Sequence, residues 1–347
     1  MSGGVDSAVS ALLLQEQGYD VHAVFMQNWD HTNDPNCSAV QDLTDARAVC
    51  DKLQIPLTTV DFSRQYWQKV FQFMLDEYTQ GRTPNPDIVC NREIKFKEFL
   101  NYAKELKTNY FATGHYARIQ KKSEKYSLLK GSDTNKDQSY FLYTLGQNEL
   151  AFTLFPIGHL KKTAVRTIAT KAKLANYAKK DSTGICFIGE RNFSKFLSEY
   201  LLPKPGEIVS VDHVVLGKHN GLMFYTPGQR QGLGIGGHKN YPELPWYVVG
   251  KNYQKNQLIV AQNHNHPLLL SQELNCDCIN WIREEPLFPL NCSAKIRYRQ
   301  NDQKCIVSKI DAQNYHVQFL DKQRAIAAGQ AVVFYQNDEC LGGGTIV

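Results

Sequence analysis

Six residues near the start, Ser2-Gly3-Gly4-Val5-Asp6-Ser7, have the types and spacing of an anion-binding loop. They run into an apolar pattern, Val9, Leu12 and Leu13 with the small Ala8 and Ala11, that recurs at helical spacing. Gly18 falls where a left-handed residue ends a helix. A glycine-rich loop that opens a helix aims backbone N–H groups and the positive end of the helix dipole at one point, and a phosphate suits that point. Gly3 and Gly4 admit close approach of the backbone, and Ser2 and Ser7 add hydroxyl donors. No Lys precedes the final Ser, so this is not a Walker loop. The plainer reading is a helix cap built from Asp6 and Ser7.

Two cysteines form the second chemical group. Cys90 lies near the end of the stretch 81–91, which carries Arg82, Pro84, Asn85, Pro86, Asp87 and Asn91 and reads as a long loop stiffened by its prolines. Cys186 follows Gly184 in a second polar stretch, just after Lys179 and Lys180. A cysteine in a core is usually inert packing, whereas these two are expected in polar loops where Arg82, Lys179 and Lys180 favour the thiolate. Spacing alone does not show that they meet. The nine cysteines lack a disulfide framework and no export signal precedes the loop, so they read as reduced cytosolic thiols.

The elements that must position these groups alternate between strand and helix. Residues 21–26 and 57–62 are apolar, β-branched runs. Residues 42–53, 63–78 and 95–106 have helical periodicity, the second with Tyr66, Trp67, Val70, Phe71 and Met74 as its apolar stripe, and 110–114 is a further strand. This predicts a doubly wound α/β domain on a parallel sheet, with the opening loop, Met26 and the Gly114-His115 turn together at the carboxyl ends of the strands. Such a domain places a strand before its loop. With the chain starting at Met1, the loop is expected to be anchored from one side only, with weak binding of its anionic guest. Beyond about Pro203, short alternating runs between prolines and glycines predict small β-domains, the last barrel-like. Trp246 and Trp281 are expected in their cores.

At 347 residues the chain calls for two or three domains, and 42% hydrophobic with 21% charged residues is ordinary globular composition. No apolar run approaches membrane-spanning length. The net charge of +5 is uneven: Lys161, Lys162, Arg166, Lys171, Lys173, Lys179 and Lys180 crowd one stretch, and Lys295, Arg297 and Arg299 another. That suits a polyanionic partner, although a solvated helix face explains any Lys run. Gly232 to Gly237 fits a dinucleotide pattern but is followed by prolines, so it reads as a loop. His264, His266, Cys276 and Cys278 have the wrong spacing for a zinc knuckle. Strand alternation would still put each pair on one face.

The opening loop resembles the pyrophosphate loop of the ATP pyrophosphatases, in which Asp6 would help hold the magnesium ion bridging the phosphates. The resemblance becomes specific with Val24-Phe25-Met26-Gln27-Asn28-Trp29, the 81–91 stretch, Ala112-Thr113-Gly114-His115-Tyr116-Ala117 and Gly184-Ile185-Cys186-Phe187-Ile188-Gly189. It continues through residues 136–142, Thr226-Pro227-Gly228-Gln229-Arg230 and 295–299. Together these closely resemble the tRNA-specific 2-thiouridylases over nearly the whole chain. The resemblance implies a catalytic ATP pyrophosphatase domain over 1–190, a small central β-rich domain over 191–268 and a C-terminal β-barrel over 269–347. It implies ATP and Mg2+ as cofactors, a tRNA bearing a wobble uridine as substrate, and a persulfide donor protein, a sulfur relay or cysteine desulfurase. It also implies a cytoplasmic location, away from membranes. Ser2, Gly3, Gly4, Val5, Asp6, Ser7, Met26 and Gly114 match its ATP contacts. Asn85, Pro86 and Asp87 match its target-base contacts, and Lys136, Asp137, Gln138, Arg297 and Tyr298 its tRNA contacts. Cys186 would carry the persulfide. Cys90 would attack the base or resolve the persulfide, leaving a Cys90–Cys186 disulfide.

Overall fold

The computed structural model describes residues 1–29, 39–181, 193–237 and 241–347. The α/β part begins with α1 (Val5–Glu16), whose N-cap Gly4 is extended and supplies no side-chain cap, and ends with Gly18 at φ +85°. Next come β1 (Ala23–Gln27), α2 (Ala39–Leu53) and β2 (Leu57–Asp61). β1 and β2 pair in parallel from Ala23 opposite Leu57 to Gln27 opposite Asp61, with Ala23, Val24 and Phe25 buried. A long helix, α3, covers 63–79, its middle turn Trp67–Phe71 wound as π-helix. Tyr66, Val70, Phe71 and Met74 of its expected stripe are buried, each worth about 1.5–3 kcal/mol. Trp67, the first residue of the π-wound turn, is the exception at 40% exposed.

The next helix, α4, corrects the reading of 81–91 as a loop. It covers 86–105, again with a π-wound middle, Asn91–Glu98. Asn85 is its N-cap, with Oδ1 accepting the N–H groups of Asp87 and Ile88, and Pro86 takes the first helical position. A proline there sets φ without losing a helical hydrogen bond, so the feature read as a loop stiffener starts a helix.

After β3 (Phe111–Ala112) comes an unexpected hairpin, β4 (Ala117–Lys122) and β5 (Lys125–Lys130). The α/β part closes with α5 (Gln147–Phe152), β6 (Thr153–Leu154), α6 (Lys162–Lys171) and α7 (Phe193–Leu197). β6 pairs in parallel with β3.

A four-stranded sheet follows: β7 (Gly206–Ser210), β8 (Val215–His219), β9 (Trp246–Asn252) and β10 (Gln257–Gln262). β7 and β10 run parallel and the other pairs antiparallel. The C-terminal strands are β11 (Leu270–Trp281), β12 (Leu290–Lys295), β13 (Gln303–Lys309), β14 (Tyr315–Arg324), β15 (Ala331–Gln336) and β16 (Glu339–Ile346). They close into a barrel through β11–β16 pairing around Leu274, Ala294, Val307, Phe319 and Phe334. Trp246 packs in the core of the four-stranded sheet and Trp281 against the barrel core, beside Phe334.

The early hairpin joins this barrel. Leu128 and Leu129 of β5 pair with Cys340 and Glu339 of β16, so one sheet runs from the α/β part into the C-terminal part. The largest apolar cluster does the same, placing Val24, Phe71, Cys90 and Leu142 with Val333, Tyr335 and Cys340. Cys276 lies buried in the barrel, while Cys278 is exposed beyond a break in the β11–β16 register. The bulge cancels the alternation that would have put the two on one face. Among the described residues, no group of three or more His, Cys, Asp or Glu side chains could hold a metal. No helix there is long and apolar enough to cross a membrane.

Candidate active site

The opening loop is built as a cradle. Gly3 has φ +73°, and a Cβ on it would stand 2.3 Å from the carbonyl oxygen of Asp42, so only glycine fits. The Ser2 and Ser7 hydroxyls lie 3.1 Å apart, and Ser7 also donates to the Gly4 carbonyl at 3.0 Å. With no side chain capping α1, the first backbone N–H groups of Val5, Asp6 and Ser7 are available to an anion. The loop is held from several sides, which corrects the expectation of a single anchor. The Met1 amino group donates to Val24 O at 2.5 Å, Asn176 Nδ2 donates to Gly3 O at 2.8 Å, and Gly114 packs against the backbone of Asp6 and Ser7.

Asp6, expected to face magnesium, is surrounded by donors. Lys162 Nζ lies 2.8 Å from both of its carboxylate oxygens, and the Tyr116 hydroxyl donates to Oδ1 at 2.7 Å. Burial and the Asp6 carboxylate push the Tyr116 phenol well up, so it stays a donor. Lys162 Nζ also lies 2.7 Å from Asp181, whose other contacts are Lys136 Nζ at 2.6 Å and Arg166 Nη2 at 2.7 Å. Burial alone would raise the Asp181 pKa, but the bonds from Lys136 and Lys162 outweigh it and hold the carboxyl at about 2. Lys179 pairs with Asp42 at 2.6 Å and with Asp45. Three cations of the 161–180 run are therefore spent inside the protein around the loop, not offered to an outside polyanion.

The candidate RNA-facing residues lie one bond further out. Gln138 exchanges hydrogen bonds with Tyr116, its N–H donating to Tyr116 O at 2.8 Å and its Oε1 accepting from Tyr116 N at 2.9 Å. Asp137 is 5% exposed, its Oδ1 accepting the N–H groups of Gly131 and Ser139 while Lys295 stands 3.5 Å from Oδ2. Asp137 thus shapes the turn, while the half-buried Lys136 carries its ammonium to Asp181. Tyr298 packs on Phe141 with ring centroids 4.5 Å apart, and Arg297 donates to Ala325 O at 2.7 Å. Burial, then the Arg324 charge, lowers the Arg297 pKa.

Cys90 is fully buried within α4, against the expectation of a polar loop. The cation expected to activate it is engaged elsewhere, since Arg82 forks onto Glu77, with Nε 2.7 Å from Oε2. The neighbouring Asn91 Nδ2 donates to Phe141 O at 3.1 Å, tying the thiol's helix to the residue beneath Tyr298. Met26, at the end of β1, packs against the same apolar cluster as Cys90. Cys186 lies outside the described residues.

The approach to α4 is gripped by both later parts of the chain. Gly81 O accepts from Lys251 Nζ at 3.1 Å and from the Tyr253 hydroxyl at 3.3 Å. Thr83 meets the Thr226 hydroxyl at 3.1 Å, donates its N–H to Ala328 O at 2.8 Å and accepts from Gln330 Nε2 at 2.7 Å. Asn85, Pro86 and Asp87 follow directly.

Residues 1–190 match the family model described as tRNA methyl transferase HUP domain. Residues 194–262 match a tRNA methyl transferase PRC-barrel domain and 271–346 an aminomethyltransferase beta-barrel domain. The tRNA-specific 2-thiouridylase MnmA of Coxiella burnetii (strain Dugway 5J108-111) is 57% identical over all of this chain and 96% of its own. The proteins of that name from Nitrosococcus oceani and Legionella pneumophila (strain Lens) are 55% and 53% identical, again over the whole chain and 95% and 96% of their own. The chain belongs to the tRNA-specific 2-thiouridylase family.

Within this family frame, the structure gathers Ser2 to Ser7, Gly114, Lys136 and Gln138 around Tyr116 and Lys162. It gathers Met26, Cys90 and Tyr298 along the adjoining core. Sequence reasoning missed Tyr116, Lys162, Asn176 and Asp181 as site residues. Lys162 was visible only as one of a run of cations, and long-range pairing, 156 residues in its case, leaves no local signal. His115 is a satisfied loop histidine: Nδ1 lies 2.7 Å from the Thr113 hydroxyl and the ring packs on Phe96 and Phe155. Burial, then Lys95, pushes its pKa well below the usual value, so it stays neutral.

Proposed function

We propose that this protein replaces the 2-oxygen of the wobble uridine of tRNA with sulfur, using ATP and a protein-borne persulfide. The observation that carries the reading is a phosphate cradle at the N-terminus of α1 sharing a hydrogen-bonded framework with the helix that bears Cys90. Ser2, Gly3, Gly4, Val5, Asp6, Ser7, Met26 and Gly114 hold ATP, with Asp6 the ligand to Mg2+. Bound there, ATP supplies an adenylyl group that turns the uracil 2-oxygen into a leaving group, with pyrophosphate released.

The chain's own residues do the rest. Backbone N–H groups at the start of α1 and the Ser2 and Ser7 hydroxyls orient the phosphates. Asp87 and the amide nitrogen of Asn85, which the helix cap leaves unused, read the edge of an extruded uridine beside Pro86. Lys136, Gln138, Arg297 and Tyr298 hold the RNA, with Asp137 fixing their turn. Cys186 receives the persulfide from a sulfur-relay or desulfurase protein and delivers its outer sulfur to C2, displacing AMP. Cys90 then attacks the inner sulfur on Cys186, freeing 2-thiouridine and closing a disulfide that an outside thiol must reduce. Where Cys90 attacks C2 first, it displaces AMP itself, and the Cys186 persulfide displaces Cys90 from C2 before the same disulfide closes. The domain limits that go with this are 1–190, 191–268 and 269–347, in the cytoplasm.

The test is a reconstituted assay with unmodified tRNA, ATP, Mg2+ and a persulfide donor, reading nucleosides by mass spectrometry. Formation of 2-thiouridine dependent on ATP, Cys90 and Cys186 is the expected result. AMP formation without tRNA and without 2-thiouridine would replace the reading with a small-molecule ligase.

A further inference from the structure

Asp181 is shared by three cations. Its Oδ2 meets Lys136 Nζ at 2.6 Å, and its Oδ1 meets Lys162 Nζ and Arg166 Nη2 at 2.7 Å each. Lys162 divides itself in turn between Asp181 and both oxygens of Asp6, and its side chain is only 13% exposed. The path from Lys136 at the RNA side to Asp6 in the nucleotide loop is therefore two charged residues long. Charges this close and this shielded compete for one another, because few waters screen them.

We propose that Asp181 is a positioning residue that couples RNA engagement at Lys136 to nucleotide binding at Asp6, with Lys162 as the exchanged cation. The inference rests on the function proposed above. A phosphate of the RNA backbone that takes Lys136 removes one of the three partners of Asp181. Asp181 then holds Lys162 more strongly, and Lys162 leaves Asp6, whose two oxygens become available to the magnesium of the incoming nucleotide. The effect is reciprocal, so bound nucleotide tightens RNA by the same factor.

The experiment measures the dissociation constant of the magnesium complex of α,β-methylene ATP, which is not cleaved, with the full chain in the absence and presence of unmodified tRNA. For the wild type, tRNA tightens the analogue by at least about fivefold. In Asp181→Asn, Lys162 keeps Asp6 as its carboxylate partner, so the ratio falls to within about twofold of one, and Asp181→Glu restores most of it. Lys162→Met also gives a ratio near one, but with analogue affinity in the absence of tRNA tighter than wild type, because no ammonium then competes for Asp6, a result that general loss of structure would not produce. A wild-type ratio of one, or an Asp181→Asn ratio equal to wild type, overturns the coupling. Thiolation is scored separately: a wild type that makes no 2-thiouridine overturns the function, whereas normal thiolation with a ratio of one overturns only the coupling.

Discussion

Lys162 Nζ stands 2.8 Å from both carboxylate oxygens of Asp6, although 156 residues separate the two in the chain. The acid at the mouth of the opening loop is held in one orientation by that ammonium and by the Tyr116 hydroxyl. Asp6→Asn removes the carboxylate while keeping its shape and its bond from Tyr116. Loss of metal-assisted charge stabilisation is worth several kcal/mol, so AMP formation should fall by at least about a hundredfold. The affinity for tRNA alone should not weaken, since the phosphate contacts that dominate RNA binding are untouched. A filter-binding curve beside a pyrophosphate-release assay separates the two effects.

Cys90 has no exposed surface, so neither a base nor a reagent reaches its sulfur without displacing neighbouring side chains. Alkylation of Cys90 by iodoacetamide, followed by peptide mass spectrometry, should be slow in the isolated protein and accelerate when tRNA and the ATP analogue are added together. Cys278, which is exposed, serves as the internal control and should react at one rate throughout. Truncation by Cys90→Ala should cost about 1–2 kcal/mol of stability, because only one sulfur atom is removed from the packed cluster.

Gly81 has φ +78°, and a Cβ there would fall 1.9 Å from the Tyr253 hydroxyl. Gly81→Ala should loosen the grip on the approach to α4, lowering the thiolation rate while analogue binding at the Ser2 to Ser7 loop is unchanged. The Lys251 ammonium in the same junction is pushed down to about 8 by burial. The folded state therefore favours its neutral form. The cost of charging it is present in full below pH 8 and fades as pH rises toward the ordinary lysine value of 10.5. Relative to Lys251→Met, the wild type should gain stability across that window, read from urea midpoints.

Asp181 carries the opposite sign. Burial would raise its pKa, but Lys136 and Lys162 hold it at about 2 against an ordinary value of 3.8. Its contribution to stability is present above pH 3.8 and is lost as the pH falls toward 2. Discounted for a side chain 30% exposed, it amounts to about 1–2 kcal/mol. The stability difference between wild type and Asp181→Asn should therefore be constant near neutrality and shrink in that acid range.

The α/β alternation, the β-rich C-terminal half and the glycine loop that opens α1 were legible in the sequence because each rests on local periodicity or a local cap. Helix α1 shows this best, with its apolar spacing and Gly18 stop both borne out. What failed was also local chemistry, misread: Pro84 and Pro86 suggested a loop, but Asn85 followed by proline is a helix start, and it buries Cys90. The hairpin of β4 and β5 was missed because it finds its full sheet only through β16, more than two hundred residues later. The charge frame of Asp6, Lys162 and Asp181 was illegible for the same reason. A lysine's partner is chosen by the fold, and seven cations in one stretch look alike until three of them turn inward.

The central claim is that ATP activates the uracil 2-oxygen and that sulfur then replaces it. The most direct test runs the reconstituted reaction in water labelled with 18O and counts 2-thiouridine and AMP by mass spectrometry. If the oxygen displaced from the base leaves on the nucleotide, one AMP forms per 2-thiouridine, and neither AMP nor pyrophosphate takes label from water. AMP or pyrophosphate carrying solvent 18O in step with turnover, or AMP formed with no 2-thiouridine, would contradict the account.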